Sequence, residues 1–235
     1  MIKKSSFIFL ISLTTAYSQN NPVNFEIPGT GQGWSWTVFE NDDNPSVQFV
    51  ANPDTTGINK SKTAASFTAR INGQPLAGRE SNHGTDIGPF SLDSTNCIIK
   101  IMVYKNKISD VGIKLVDSNN AAMQEIKVSN TVINEWEELI FDFSTRRGLY
   151  PLVKDQIVIF PDFDITGRTK DEILYFDNIQ FEGYIEQQTT WNCINSSCQK
   201  QNDSLGQFTD SVTCVINCIQ TDINNYQQAK SVINI

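Results

Sequence analysis

Between Asn20 and about Tyr184, apolar side chains recur at every second position, and clusters rich in Asn, Asp and Pro break the pattern at short intervals. A period of two belongs to strands that bury one face, because successive side chains of a strand point to opposite sides. The candidate strands are Trp34–Phe39, Ser46–Val50, Ala64–Arg70, Ile98–Tyr104, Val111–Val116, Gln124–Val128, Trp136–Phe143, Gln156–Phe160 and Ile173–Tyr184. Asn41–Pro45, Asn52–Asp54 and Asp117–Asn120 supply turns between them. Within Trp136–Phe143, Leu139, Phe141 and Phe143 share one face while Glu138 and Asp142 share the other. That is the pattern of an antiparallel strand with one wet side. No stretch of this region carries a helical stripe with caps. Many short strands without helices predict an all-β fold, an antiparallel β-sandwich of the jelly-roll kind, over residues 20–184.

The first eighteen residues differ from the rest. Lys3 and Lys4 precede an apolar run from Phe7 to Leu13, and small residues follow at Ala16 and Ser18. This is the layout of a secretory signal peptide, and the run is too short to span a bilayer. Its removal takes away two lysines and no acid, moving the net charge from −8 to −10. So acidic a chain offers no basic face to a phosphate backbone, which excludes nucleic acid as a partner. Export predicts a secreted or cell-surface protein, with the periplasm also open, in a compartment where disulfides persist.

After a polar linker at 185–190, four of the five cysteines fall between Cys193 and Cys218. A segment of that size cannot fold on apolar burial alone. Cys193, Cys198, Cys214 and Cys218 therefore predict two disulfides, in one of three connectivities, stapling a module over 191–218 and leaving a tail over 219–235. The spacings C-x4-C and C-x3-C differ from the C-x2-C pairs of zinc knuckles, which argues against a four-Cys zinc site. Cys97 is left over at the start of a strand, in the position of a buried thiol.

Nothing in the chain argues for catalysis. There is no nucleophile elbow, phosphate loop or dinucleotide fingerprint, and one histidine, His83, limits both zinc sites and triads. The acidic cluster Glu135, Glu137 and Glu138 reads as a solvated strand face. Binding has better candidates. Trp34 and Trp36 lie two apart and so share a face, where they either join the core or present flat rings on which sugars stack. The polar run from Arg79 to Asp86, with Glu80, His83 and Asp86, either supplies donors and acceptors to sugar hydroxyls or forms a solvated loop. Glu26 near the first strand and Asp177 near the last become neighbours if those strands run side by side. Two such carboxylates suit Ca²⁺ as a structural ion, or else cap turns and pair with lysines.

Taken together, Asn24–Pro45, Lys100–Lys105, Ser109–Leu115, Asn134–Glu138, Gln156–Asp164 and Tyr175–Ile179 resemble a jelly-roll carbohydrate-binding module of secreted bacterial polysaccharide-degrading proteins, laminarinases among them. The resemblance spans about Asn20 to Gly183. It implies a non-catalytic glycan-binding domain, and similarity to calcium-containing modules strengthens the expectation of an ion at Glu26 and Asp177. Trp191, Cys193, Cys198, Gly206, Cys214 and Cys218 resemble a short module found near the C-terminal ends of secreted proteins. The chain departs from the family at Leu76, where an aromatic residue is expected.

The expectation is an exported protein, not an enzyme, that binds a polysaccharide such as laminarin, a β-1,3-glucan, near glycoside hydrolases or surface proteins. Trp34 and Trp36 would stack, and Glu80, His83 and Asp86 would bond to hydroxyls. Two other classes stay open: an adhesive or structural surface protein working through the cysteine module, and a polysaccharide lyase or hydrolase using His83 with Tyr104 or Glu80.

Overall fold

A computed structural model describes residues 19–184, 190–195, 197–201 and 206–219. Met1–Ser18, where a signal peptide is expected, residues 185–189 of the expected linker and the tail beyond residue 219 lie outside the described residues. The chain divides into two units, with the boundary between Tyr184 and Ile185.

In the first unit the period-two segments pair into two five-stranded antiparallel sheets. One contains β1 (Thr37–Phe39), β4 (Gly78–Glu80), β9 (Gln156–Phe163), β6 (Asp110–Val116) and β7 (Ile126–Ser129), in the spatial order 1-4-9-6-7. The other contains β2 (Gln48–Ala51), β3 (Thr63–Ala69), β10 (Glu172–Glu182), β5 (Ile98–Tyr104) and β8 (Trp136–Asp142), in the order 2-3-10-5-8. Consecutive strands alternate between sheets in several places, as a jelly-roll β-sandwich requires. The N-terminal segment closes against β10 through a bridge between Val23 and Ile179.

The inner faces meet in one core. Val111, Ile113, Leu115, Ile157 and Ile159 come from the first sheet, and Phe67, Ile99, Ile101, Leu139, Phe141, Leu174 and Phe176 from the second. Each side chain of this size contributes on the order of 2 kcal/mol through burial. Cys97 is buried among them and free.

Three segments differ from the sequence expectation. The first strand begins at Thr37, so Trp34 and Trp36 precede it on an ordered approach. Gly78–Glu80 forms β4, where the sequence reads as the edge of a polar loop. Its core-facing position holds an arginine and its neighbour has no side chain, so the strand carries no apolar signal. Lastly, β9 runs on to Phe163 through Pro161, with a register shift opposite Asp110–Gly112. Proline is tolerated in a strand at such an irregularity, and the extra residue changes which face the next side chain meets. Asp162 is fully buried there and pairs with Arg168 Nε at 2.7 Å and Lys107 Nζ at 3.5 Å.

The second unit pairs β11 (Thr190–Ile194) with β12 (Ser197–Gln201) and adds a helix over 211–219. Asp210 starts the helix by accepting the backbone N–H of Thr213 at 2.8 Å. Cys193 and Cys198 lie directly opposite each other on the hairpin. Cys214 and Cys218 are four apart, hence on one helix face. The disulfides are Cys193–Cys218 and Cys198–Cys214. No helix among the described residues is long and apolar enough to cross a membrane.

Candidate functional site

The outer face of the first sheet departs from the usual inside-apolar, outside-polar rule. Along β9, Ile157 and Ile159 enter the core, while Val158 and Phe160 point the other way and still form an apolar cluster with Val116. Phe39 and Phe163 pack against that cluster from either side. The register shift in β9 delivers Phe163 to the same face as Phe160. Phe160 meets Phe39 edge-on at 5.9 Å between ring centroids and Phe163 at 5.8 Å. Phe160 itself is 3% exposed, so the accessible aromatic surface is that of the half-buried Phe39 and Phe163.

The register explains how three rings fit on a strand face. Gly78 pairs with Phe39, and Gly112 pairs with Phe160 across the other side. A Cβ on Gly78 would lie 2.8 Å from Phe39 Cζ and 3.1 Å from Phe160 Cδ1. One on Gly112 would lie 2.9 Å from Phe160 Cδ2. The Gly112 contact is closer than real side chains come, and the Gly78 Cβ would meet the Ile159 carbonyl oxygen at 2.7 Å as well as crowding both rings, so the missing atoms on both neighbours leave room for the Phe160 ring.

One row further along, Thr37, Glu80, Val158 and Lys114 lie side by side. Glu40, Glu80, Lys114 and Glu125 line a cleft of about 460 Å³ with the aromatic residues, and Leu76 completes its wall. Lys114 Nζ lies 5.5 Å from the Phe160 ring centroid, and Lys127 Nζ lies 4.2 Å from that of Phe163. Such contacts hold the ammonium groups beside the rings. The cleft thus combines flat apolar surface, three carboxylates that accept hydrogen bonds and the Lys114 ammonium group that donates them, with Lys127 against Phe163 beside it.

The residues singled out from the sequence do not converge on one place. Only Glu80 lies in this cleft. Trp34 and Trp36 stack on each other at 5.5 Å and pack against the core with the parity of the inward-facing Val38. Trp36 donates its Nε1–H to the Gly31 carbonyl at 2.7 Å, and its ring carries the Arg79 guanidinium at 3.4 Å. Trp34 stays half-exposed. His83 lies 2.7 Å from Asp155 through Nδ1 and 3.3 Å from Asn120 through Nε2. Burial pushes the His83 pKa down, but the Asp155 contact outweighs it and the net shift is upward. Asp155 also borders a loop-lined cleft of about 600 Å³ with Asp117, Phe90 and Leu152. Asp86 is buried and accepts the backbone N–H of Asn82 at 2.7 Å, the work of a loop clamp.

Glu26 and Asp177 do come together. Asp177 sits fully buried at a bulge of β10, where Asn178 takes a left-handed conformation with φ 47°. It accepts hydrogen bonds from Asn59 Nδ2 at 2.9 Å and from the Asn178 backbone at 2.8 Å. Glu26 Oε1 accepts the backbone N–H groups of Lys62 and Thr63 at 2.6 and 2.9 Å. Burial, chiefly, and the charge of Glu26 raise the Asp177 pKa to about 6, against the bonds it accepts. Two carboxylates with the amide and hydroxyl oxygens of Asn59, Asn178 and Ser61 are hard donors of the kind Ca²⁺ takes. Among the described residues, no group of three or more His, Cys, Asp and Glu gathers as a metal site. The donor set fits calcium in kind and is sparse in charge.

Sequence reasoning missed Phe39, Phe160, Phe163, Lys114, Glu125 and Lys127. The available signal was a strand, Gln156–Phe160, apolar on both faces in a sheet whose neighbours alternate, together with glycines inside β4 and β6.

No protein-family model matches the chain, and no curated protein matches it. Among solved structures it is similar to the carbohydrate-binding module TmCBM61 in complex with β-1,4-galactotriose, at 13% identity and TM-score 0.41 over 69% of this chain and 95% of that one. It is similar to a variant of a family 29 carbohydrate-binding module at 11% identity and TM-score 0.42, over 72% and 92%. An exo-β-agarase matches at 10% identity and TM-score 0.42, over 63% of this chain and only 25% of that one.

Proposed function

We propose that the chain is an exported, non-catalytic glycan-binding protein whose binding face is the outer surface of the first sheet. The observation that carries this reading is the aromatic platform of Phe39, Phe160 and Phe163, seated by Gly78 and Gly112 and bordered by Glu80, Lys114 and Glu125. Flat rings take the C–H faces of pyranoses at low entropic cost, while carboxylates and ammonium groups bond to the ring hydroxyls. Three carboxylates, of Glu40, Glu80 and Glu125, outnumber the ammonium groups of Lys114 and Lys127 beside the rings, which disfavours a uronate chain and suits an uncharged polysaccharide. A β-1,3-glucan such as laminarin fits that description and is the ligand we propose. An open cleft with few polar contacts binds on the order of micromolar to millimolar. Attachment or proximity to glycoside hydrolases or other surface proteins raises the effective affinity by avidity.

Glu26 and Asp177 are the proposed holders of a structural Ca²⁺. When bound, the ion supplies positive charge that offsets the buried pair. The chain's own part is to bring β10 and the 59–63 segment together, through the bonds from Asn59 to Asp177 and from Lys62 and Thr63 to Glu26.

Affinity electrophoresis of the mature chain through gels containing laminarin, mixed-linkage glucan, alginate or no polysaccharide tests the reading. Retardation by laminarin, weakened in Phe39→Ala and in Phe163→Ala but unchanged in His83→Ala, supports it. Retardation that survives both phenylalanine changes and disappears in Trp34→Ala would move the site to the tryptophan stack. New reducing ends or unsaturated products would replace binding with catalysis.

A further inference from the structure

Arg79 lies at the centre of β4, paired with Val38 on one side and Ile159 on the other. Its outward neighbours serve the glycan face, but its own side chain enters the core and is 0% exposed. The guanidinium rests 3.4 Å from the centroid of the Trp36 ring, 4.3 Å from that of Phe176 and 5.5 Å from that of Phe25. None of Nε, Nη1 and Nη2 has a hydrogen-bond partner among the described residues. No carboxylate there lies within ion-pair distance either; the only influence on its ionisation is burial, which pushes the pKa down.

A buried, unpaired guanidinium is among the most costly arrangements a core can hold, and arginine does not relieve the cost by giving up its proton. Aromatic faces attract the cation, but they accept no in-plane N–H bond. Five N–H groups therefore point along the edge of the guanidinium without an acceptor among the described residues. Trp36 does not help, because its indole N–H is already committed to the Gly31 carbonyl.

We propose that Arg79 holds a small monovalent anion, chloride under ordinary conditions, against the edge of its guanidinium inside the box of Trp36, Phe176 and Phe25. Such an ion supplies both the missing acceptor and the missing charge, where a water molecule supplies only the first. The burial of the site sets the size class: carboxylates or sulfates carried on a polymer cannot enter a position with no exposed surface. Ring edges, which carry partial positive charge, complement a bound halide. The ion also has a consequence for the strand. Short β4 pairs with β9 through only Arg79 and Glu80, so an anchored Arg79 fixes the strand that presents Gly78 and Glu80 to the outer face.

The test is thermal unfolding of the full mature chain in sodium chloride, sodium bromide or sodium gluconate at one pH and one ionic strength, about 0.15 M. Chloride and bromide should raise Tm over gluconate by about 3–6 °C once the halide stands tenfold above its dissociation constant. Arg79→Met should erase the difference between salts while keeping the far-ultraviolet spectrum of the sandwich. Crystals soaked in bromide should show an anomalous peak at the guanidinium edge, and this measurement decides the matter if Arg79→Met fails to fold. Equal Tm in all three salts would overturn the proposal. So would a crystal structure in which a water, or the buried Gln32 Oε1, meets Arg79 and no bromide is present. Neither readout depends on glycan binding, so failure here leaves the proposed function to its own experiment.

Discussion

Replacing Asp177 with Asn should stabilise the protein at neutral pH when no divalent cation is present. Asp177 is fully buried, and its folded-state pKa of about 6 exceeds the ordinary 3.8 chiefly because burial penalises the charged form. The fold therefore prefers the protonated carboxyl. Its contribution is complete at pH below 3.8 and is lost as pH rises through 6. The gap of about 2 pH units corresponds to about 3 kcal/mol. Asparagine imitates the neutral form at every pH, so Asp177→Asn should recover most of that at pH 7.5, or about 6–12 °C in Tm for a domain of this size. At pH 4.5 the difference should shrink to about 1 kcal/mol. Two other groups must be separated from this one. The raised His83 pKa also adds stability as pH falls, but equally in both proteins. Asp164 is held at about 2 because the bonds from Lys107 and Thr166 outweigh burial; it loses its contribution only below 3.8, outside the window. The measurement is urea unfolding at both pH values with a chelator present. If Asp177→Asn is the less stable protein at pH 7.5 under those conditions, the carboxyl is not held in its neutral form and the argument fails. Adding calcium should reverse the order, stabilising the native chain and leaving the variant unmoved; no such reversal would remove calcium from Glu26 and Asp177.

Gly112→Ala should lower stability by about 1–3 kcal/mol and weaken retardation by laminarin, since the new methyl falls 2.9 Å from Phe160 Cδ2. Calorimetry and affinity electrophoresis read the two effects separately, and unchanged retardation would detach the glycine from the site. Phe163→Ala, on a half-buried ring, should cost about 0.5–1.5 kcal/mol in glycan affinity, roughly a two- to tenfold weaker association constant, by titration calorimetry. Reducing the disulfides, whose partners stand 25 and 16 residues apart, should remove about 3 kcal/mol per bridge from the second unit. Hydrogen exchange should then quicken over 190–219 and stay unchanged over 37–182.

The parts of the fold that were legible in the sequence are those where one face of a strand is wet. In β8, Leu139 and Phe141 are buried and Asp142 is exposed, as alternation requires. In β9 the same rule is ambiguous. With apolar residues on both faces, period two identifies the strand without saying which side faces the core, and the side left outside is the candidate site. Alternation places Trp34 and Trp36 on a common face, and they do stack. It cannot say that the face is the inner one, because that depends on β4 lying beside β1. β4 was illegible for a physical reason: its core position is filled by Arg79, which every burial preference assigns to the surface. The cysteine spacings leave three pairings open. The hairpin register and the helix period set two cysteines on each element, which leaves two crossed pairings, and the folded unit takes Cys193–Cys218 and Cys198–Cys214.

The seat of Phe160 is defined by atoms that are missing on its two neighbours, and this has a consequence for how such a face diverges. A methyl at residue 112 would press on the ring directly, and one at residue 78 would shift the β9 backbone at Ile159 that carries it, neither as a side chain of the platform itself. Ligand preference on this scaffold can thus be reset from backbone positions that a census of contacting side chains would pass over. A small library varying only these two glycines, selected on glucans of different linkage, samples that route directly.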